Sequence, residues 1–131
     1  MIRNFPTKYF LIFTDSPEKE IHRNRIIAGL RIALTLLMEE YEIFVLLLQE
    51  SVAIARKQTG ESSEKDNEDD INFTPFELLE SLISFGGNVM TCKSSLSMVK
   101  MEKEDMIEGI EIYTLHTALM KMNDCDKIIA F

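Results

Sequence analysis

Two uninterrupted apolar runs constrain this chain more than any other feature: Tyr9-Phe10-Leu11-Ile12-Phe13 and Ile43-Phe44-Val45-Leu46-Leu47-Leu48. A strand wetted on one side alternates polar and apolar residues, whereas a strand covered on both faces does not. Both runs therefore predict strands sandwiched between other elements. After the first, Thr14-Asp15-Ser16-Pro17-Glu18 combines a cap residue with a proline at the first helical position. That pattern predicts a helix from about Lys19 to Glu40. Its apolar residues, among them Ile21, Ile26, Leu30, Ile32, Leu36 and Met38, spread over more than one stripe, so a neighbouring element or subunit is expected on each side.

The second run leads into a short helix over Gln49 to Lys57. Further on, Thr74-Pro75-Phe76-Glu77 is a capping box with proline just inside, and Gly86-Gly87 is a natural stop for the helix it starts. Asn88-Val89-Met90-Thr91-Cys92 then reads as a third strand. Two short helical pieces between Ser94 and Glu108, a strand at Ile110–Tyr113, a helix from Leu115 to Asn123 and a last strand at Lys127–Phe131 complete the order. Repeated strand–helix alternation predicts an α/β fold: a three-layer α/β/α arrangement with a mostly parallel five-stranded sheet, in a single domain over residues 1–131.

The net charge of −8 argues against nucleic acid or an anionic membrane surface as a partner. Residues 59–72 hold six acids and one lysine, a net of −5, so −3 remains for the rest of the chain. This stretch reads as a mobile, solvated insertion; its Asp66-Asn67-Glu68-Asp69-Asp70 run lacks the central glycine and distal glutamate of a calcium loop. No apolar stretch is long enough to span a bilayer, the N-terminus has no signal-peptide core, and two cysteines are too few for a disulfide scaffold. A cytoplasmic location is expected.

Phosphate-binding glycine motifs, C-x-x-C pairs, metal-spaced histidines and G-x-S-x-G are all missing, and no metal or cofactor is expected. What remains is a thiol at the carboxyl end of a strand, the edge where ligands gather in such sheets. Cys92 is followed by Lys93-Ser94-Ser95, and a helix starting there would point amides at the sulfur and favour its reactive thiolate. A buried, inert thiol is the competing reading, since free cysteine packs like a small hydrophobe. His116 starts the helix after the fourth strand and is a candidate proton donor, while His22 lies in the first helix without a partner. Cys125, flanked by Asp124 and Asp126, is expected to be the poorer nucleophile.

In order, the segments Phe85-Gly86-Gly87 to Cys92, Gly109-Ile110-Glu111-Ile112, Thr114-Leu115-His116 and Asp126 to Phe131 resemble the DsrE-like family of small sulfur-relay proteins. The first strand and the Thr14-Asp15 loop fit that family loosely. The resemblance implies that Cys92 accepts sulfane sulfur as a persulfide and passes it to a partner thiol, with sulfur donor and acceptor proteins as partners. It implies Ser94, Ser95, His116, Thr14 and Asp15 as neighbours of the site, and a homo-oligomer, a trimer or hexamer. Ser95 stands where many relatives have a second cysteine, and Val99-Lys100 replaces their Arg-Gly. A one-cysteine carrier is thereby favoured over a dithiol redox enzyme. The alternative is a non-catalytic module of the same fold that binds a small molecule or serves assembly.

Overall fold

The computed structural model describes residues 6–57 and 73–131. The acidic segment 59–72 lies outside the described residues. Five strands form the sheet: β1 (Lys8–Phe13), β2 (Glu42–Leu47), β3 (Asn88–Cys92), β4 (Ile110–Tyr113) and β5 (Lys127–Ala130). Their order across the sheet is β4-β3-β2-β1-β5, and every pairing is parallel. The two apolar runs became β1 and β2, neighbours paired over their full length from Lys8↔Glu42 to Phe13↔Leu47. The central strand is β2; β3 is one step nearer the edge but still paired on both sides.

Parallel neighbours need crossover connections, and these are right-handed in nearly all proteins. From β1 to β4 the chain steps in one direction, so its connections lie on one face. There α1 (Glu20–Met38), a 3₁₀ segment (Gln49–Ala55), α2 (Pro75–Ser84) and α3 (Lys93–Met98) pack on the sheet. They bury Ile26, Leu30, Val52, Leu79 and Leu82 against Leu11, Phe13, Ile43, Val45 and Val89. The last step, from β4 to β5, runs back across the whole sheet. Its helix, α4 (Leu115–Met122), therefore lies on the opposite face, where Ala118 meets Phe10, Leu46 and Met90.

The capping box forms as the sequence predicts. Thr74 Oγ1 accepts from the Glu77 amide, and Glu77 Oε1 accepts from the Thr74 amide, both at 3.1 Å. Such a cap is worth about 0.5–2 kcal/mol. The other helix start differs: α1 begins at Glu20, with Lys19 as an N-cap that makes no side-chain cap bond. The capping candidates upstream are engaged elsewhere. Thr14 Oγ1 donates to the Phe131 carbonyl at 3.4 Å, Asp15 pairs with Arg25 at 2.8 Å, and Ser16 Oγ accepts from the Glu18 amide at 3.2 Å. Pro17 thus sits in a turn rather than at the first helical position. Past β2 the short helix has 3₁₀ geometry and ends at Ala55. Among the described residues, no helix is long and apolar enough to cross a membrane.

Helix α1 lies close on the sheet at Gly29. A Cβ there would stand 2.6 Å from Phe13 Cε2, 2.9 Å from Phe13 Cζ and 3.1 Å from Phe131 Cδ1. Phe13 is fully buried and stacks on Phe131 with ring centroids 4.8 Å apart, so its ring cannot step aside freely. Gly29→Ala gains about 1 kcal/mol of helix propensity but suffers overpacking of about 1–3 kcal/mol. The expected outcome is a lower urea midpoint than wild type; a higher one would mean that the ring pair yields easily.

Candidate functional site

In an open parallel sheet the ligand crevice opens at the carboxyl ends of the strands where the strand order reverses, and here that point lies between β1 and β5. From β3 the chain enters α3 on the α1 side of the sheet, and from β4 it enters α4 on the other side. Cys92 ends β3 and is the register partner of Tyr113, the last residue of β4. The strand end predicted to carry a thiol therefore lies at the carboxyl edge of the sheet, two strands from that point.

Cys92 has extended backbone, φ −116° and ψ 157°, and serves as the N-cap residue of α3. Its Sγ lies 3.3 Å from Ser94 Oγ and 3.2 Å from Ser95 Oγ. Cys92 is 2% exposed and Ser95 is 1% exposed. Ser94 is solvent-exposed. Burial is the largest influence on the thiol and pushes its pKa up. The hydroxyls of Ser94 and Ser95 and the amides of Ser95 and Ser94 act the other way and together prevail, leaving the thiol below its ordinary value.

The neighbouring strand ends are held by further hydroxyls. Thr91 Oγ1 donates to the Leu47 carbonyl at 2.7 Å, and Ser51 Oγ lies 2.8 Å from both the Phe13 and Leu48 carbonyls. Gln49 adopts the left-handed conformation, φ 56°, and its amide donates to Ser95 Oγ at 2.7 Å. Gln49, Ser51 and Thr91 escape a reading of the sequence because their roles depend on contacts between separate strands. At Gln49 the working group is a backbone amide, which leaves no mark in residue type.

The other predicted neighbours are spread along the same edge. Thr14 and Asp15 follow β1, two strands or roughly 10 Å from β3, and are bound to Phe131 and Arg25. His116 is the second residue of α4 and is exposed; the N-cap before it is Thr114, whose Oγ1 accepts from the Thr117 amide at 3.2 Å. Tyr113 donates its hydroxyl to Glu111 Oε1, and this bond is the main reason its phenol is held above the usual value. Both cysteines are free. Cys125 is raised chiefly by burial; Asp124, Asp126 and Glu42 add to this, while Lys8 opposes it. The flanking carboxylates expected to dominate are thus secondary. The cavities elsewhere do not include the thiol: one of about 440 Å³, lined by Lys57, Lys103, Met106 and Glu108, lies at the opposite, amino edge of β4.

The two thiols should therefore titrate apart. In a pH profile of alkylation read residue by residue, the Cys92 inflection is expected at lower pH than that of Cys125. A thiol lowered on folding contributes stability that is fully present above its unfolded value, about 8.5, and is lost as pH falls through the folded value. The stability advantage of wild type over Cys92→Ser is accordingly expected to grow from pH 7 to pH 9 in urea titrations. A constant difference would contradict the lowered thiol.

The sequence profile of the DsrE/DsrF-like family matches residues 7–131. The uncharacterized protein MJ0989 of Methanocaldococcus jannaschii is 28% identical over 124 residues, covering 95% of this chain and 99% of that protein. The uncharacterized protein MK0008 of Methanopyrus kandleri is 31% identical over 110 residues, covering 83% of this chain and 84% of that one. Among solved structures, the YchN protein of E. coli superposes with a TM-score of 0.77 at 20% identity, covering 95% of this chain and 99% of that one. The protein of unknown function MTH1491 of Methanobacterium thermoautotrophicum superposes at 0.62 with 16% identity, over 96% and 99% of the two chains. These two likenesses establish the shared fold.

Proposed function

The chain belongs to the DsrE/DsrF-like family, one tied in general to sulfur relay, and from that premise we propose that Cys92 carries sulfane sulfur as a persulfide. The observation that supports this most is the pair of hydroxyls 3.2 and 3.3 Å from Cys92 Sγ at the carboxyl edge of the sheet. In the loading step the Cys92 thiolate attacks the outer sulfur of a donor persulfide. A new S–S bond forms, the donor's S–S bond breaks, and the donor leaves as a thiolate. In the unloading step an acceptor thiolate attacks the outer sulfur of the Cys92 persulfide, and Cys92 leaves as the thiolate. No external oxidant or reductant enters either step. With Ser95 at the neighbouring position, the persulfide meets no thiol inside α3 that would cut the relay short.

Donor and acceptor are, in this reading, cysteines of partner proteins, and a reducing cytoplasm suits a carrier whose cysteines are unpaired. His116 stands past the end of β4 as the candidate proton donor, at the same carboxyl edge of the sheet. Thr14 and Asp15 act on the β1–α1 loop through Phe131 and Arg25. We further propose a homo-oligomer, a trimer or hexamer. Ile21, Ile32 and Met38 are exposed along α1, as are Leu115, Leu119 and Met120 on α4 and Ile128 on β5, which leaves apolar surface on both outer layers. A solution mass equal to one chain, measured by light scattering, would contradict this assembly.

A second reading, a non-catalytic binding or assembly module, is favoured by the 2% exposure of Cys92. Intact mass after treatment with polysulfide separates the two. The carrier reading expects a gain of about 32 Da per sulfur in wild type, retained in Cys125→Ser and removed by cyanide. Wild type that gains nothing, or Cys92→Ser that gains as much, would favour the passive module.

A further inference from the structure

We propose that Ser95 is a second catalytic residue of this site, its single hydroxyl proton committed to the Cys92 sulfur by the backbone amide of Gln49. A serine hydroxyl has one hydrogen to give and two lone pairs to receive. An amide only donates, so in the 2.7 Å contact from the Gln49 nitrogen the Ser95 oxygen is the acceptor. The remaining partner of that oxygen is Cys92 Sγ at 3.2 Å. Were the thiol to donate there, the Ser95 hydrogen would be left buried with nothing to receive it, a cost of about 1–3 kcal/mol. Donation from Ser95 to sulfur satisfies every group at once, and it suits a thiolate, which only accepts. Ser94 differs: the residue is solvent-exposed, and no amide fixes its hydroxyl, whose contact with the sulfur is 3.3 Å.

Gln49 is the positioning residue. Left-handed backbone is costly for a residue with a side chain and persists where the surroundings over-determine it. They do so here. The Leu48 amide donates to the Phe13 carbonyl at 2.9 Å, Ser51 Oγ spans the Phe13 and Leu48 carbonyls, and Thr91 Oγ1 holds the Leu47 carbonyl. With these groups engaged, the turn out of β2 turns its next amide toward α3. A donor fixed on Cys92 Sγ serves both half-reactions: it raises the thiolate population for loading and stabilises the leaving thiolate in unloading.

This inference deepens the sulfur-carrier reading, and a titration that needs no sulfur tests it separately. In a Cys125→Ser background, the pH profile of Cys92 alkylation by iodoacetamide is recorded for Ser95→Ala, Ser94→Ala, Gln49→Val and the Ser95→Ala/Gln49→Val pair. A β-branched residue resists left-handed backbone, so Gln49→Val displaces the amide without touching the sulfur. Ser95→Ala is expected to move the inflection upward, cutting the thiolate population at pH 7 about tenfold, and Ser94→Ala to move it less. Gln49→Val is expected to move it in the same direction, with no further shift in the pair than in Ser95→Ala alone. A wild-type profile in Ser95→Ala overturns the proposal, as does a Gln49→Val shift of equal size in the Ser95→Ala background. If Gln49→Val does not fold, the Ser95→Ala profile decides alone. The predicted profiles in a protein that takes up no sulfur from polysulfide would overturn the carrier reading and with it the catalytic part of Ser95, while upholding its commitment to the Cys92 sulfur.

Discussion

The continuous parallel pairing of β1, β2 and β3 is the constraint on which the rest of the structure depends. Parallel strands cannot be joined by tight turns, so each pairing demands a crossover, and handedness assigns each crossover to a face. Three successive steps in one direction place α1, α2 and α3 on one side of the sheet. The single reversal from β4 to β5 places α4 on the other. Cys92 ends β3 at the carboxyl edge from which α3 leaves to one face.

At the carboxyl edge the strands stop but their backbone groups still need partners, in a region too apolar for water to serve them all. This chain answers with small hydroxyls. Ser51 and Thr91 take up the carbonyls at the ends of β1 and β2, while Ser95 takes up the amide at Gln49. Buried hydroxyl contacts are stronger and more directional than exposed ones, so the same bonds that close the sheet also determine where hydrogens point around the sulfur. Structural satisfaction and the tuning of Cys92 are one network.

Much of the architecture was legible in local signals. Unbroken apolar runs marked β1 and β2, the Thr74/Glu77 pair marked the start of α2, and alternation pointed to a parallel sheet. The start of α1 fell within one residue of the expected Lys19, but its cap was misread, because Thr14, Asp15 and Ser16, good capping residues by type, are drawn into contacts with Phe131, Arg25 and Glu18. Cys125 was rightly ranked below Cys92 in ease of ionisation, although burial outweighs the flanking carboxylates that motivated the ranking. Of the site itself, Cys92, Ser94 and Ser95 were visible because they are contiguous, and Gln49, Ser51 and Thr91 were not.

By itself, the sequence determined which segments are strands, which are helices, and that a thiol ends the third strand, because those properties depend on local periodicity and on residues a few positions apart. Strand order, the face taken by each helix, and the meeting of β2, β3 and α3 around Cys92 were decided only by the tertiary structure, since they depend on pairings between residues as distant as Gln49 and Ser95. The state of Cys92 belongs to that second class. Its residue type marks a possible nucleophile, but the balance between burial, which raises the thiol, and hydroxyl and amide donors, which lower it, exists only once β2, β3 and α3 meet.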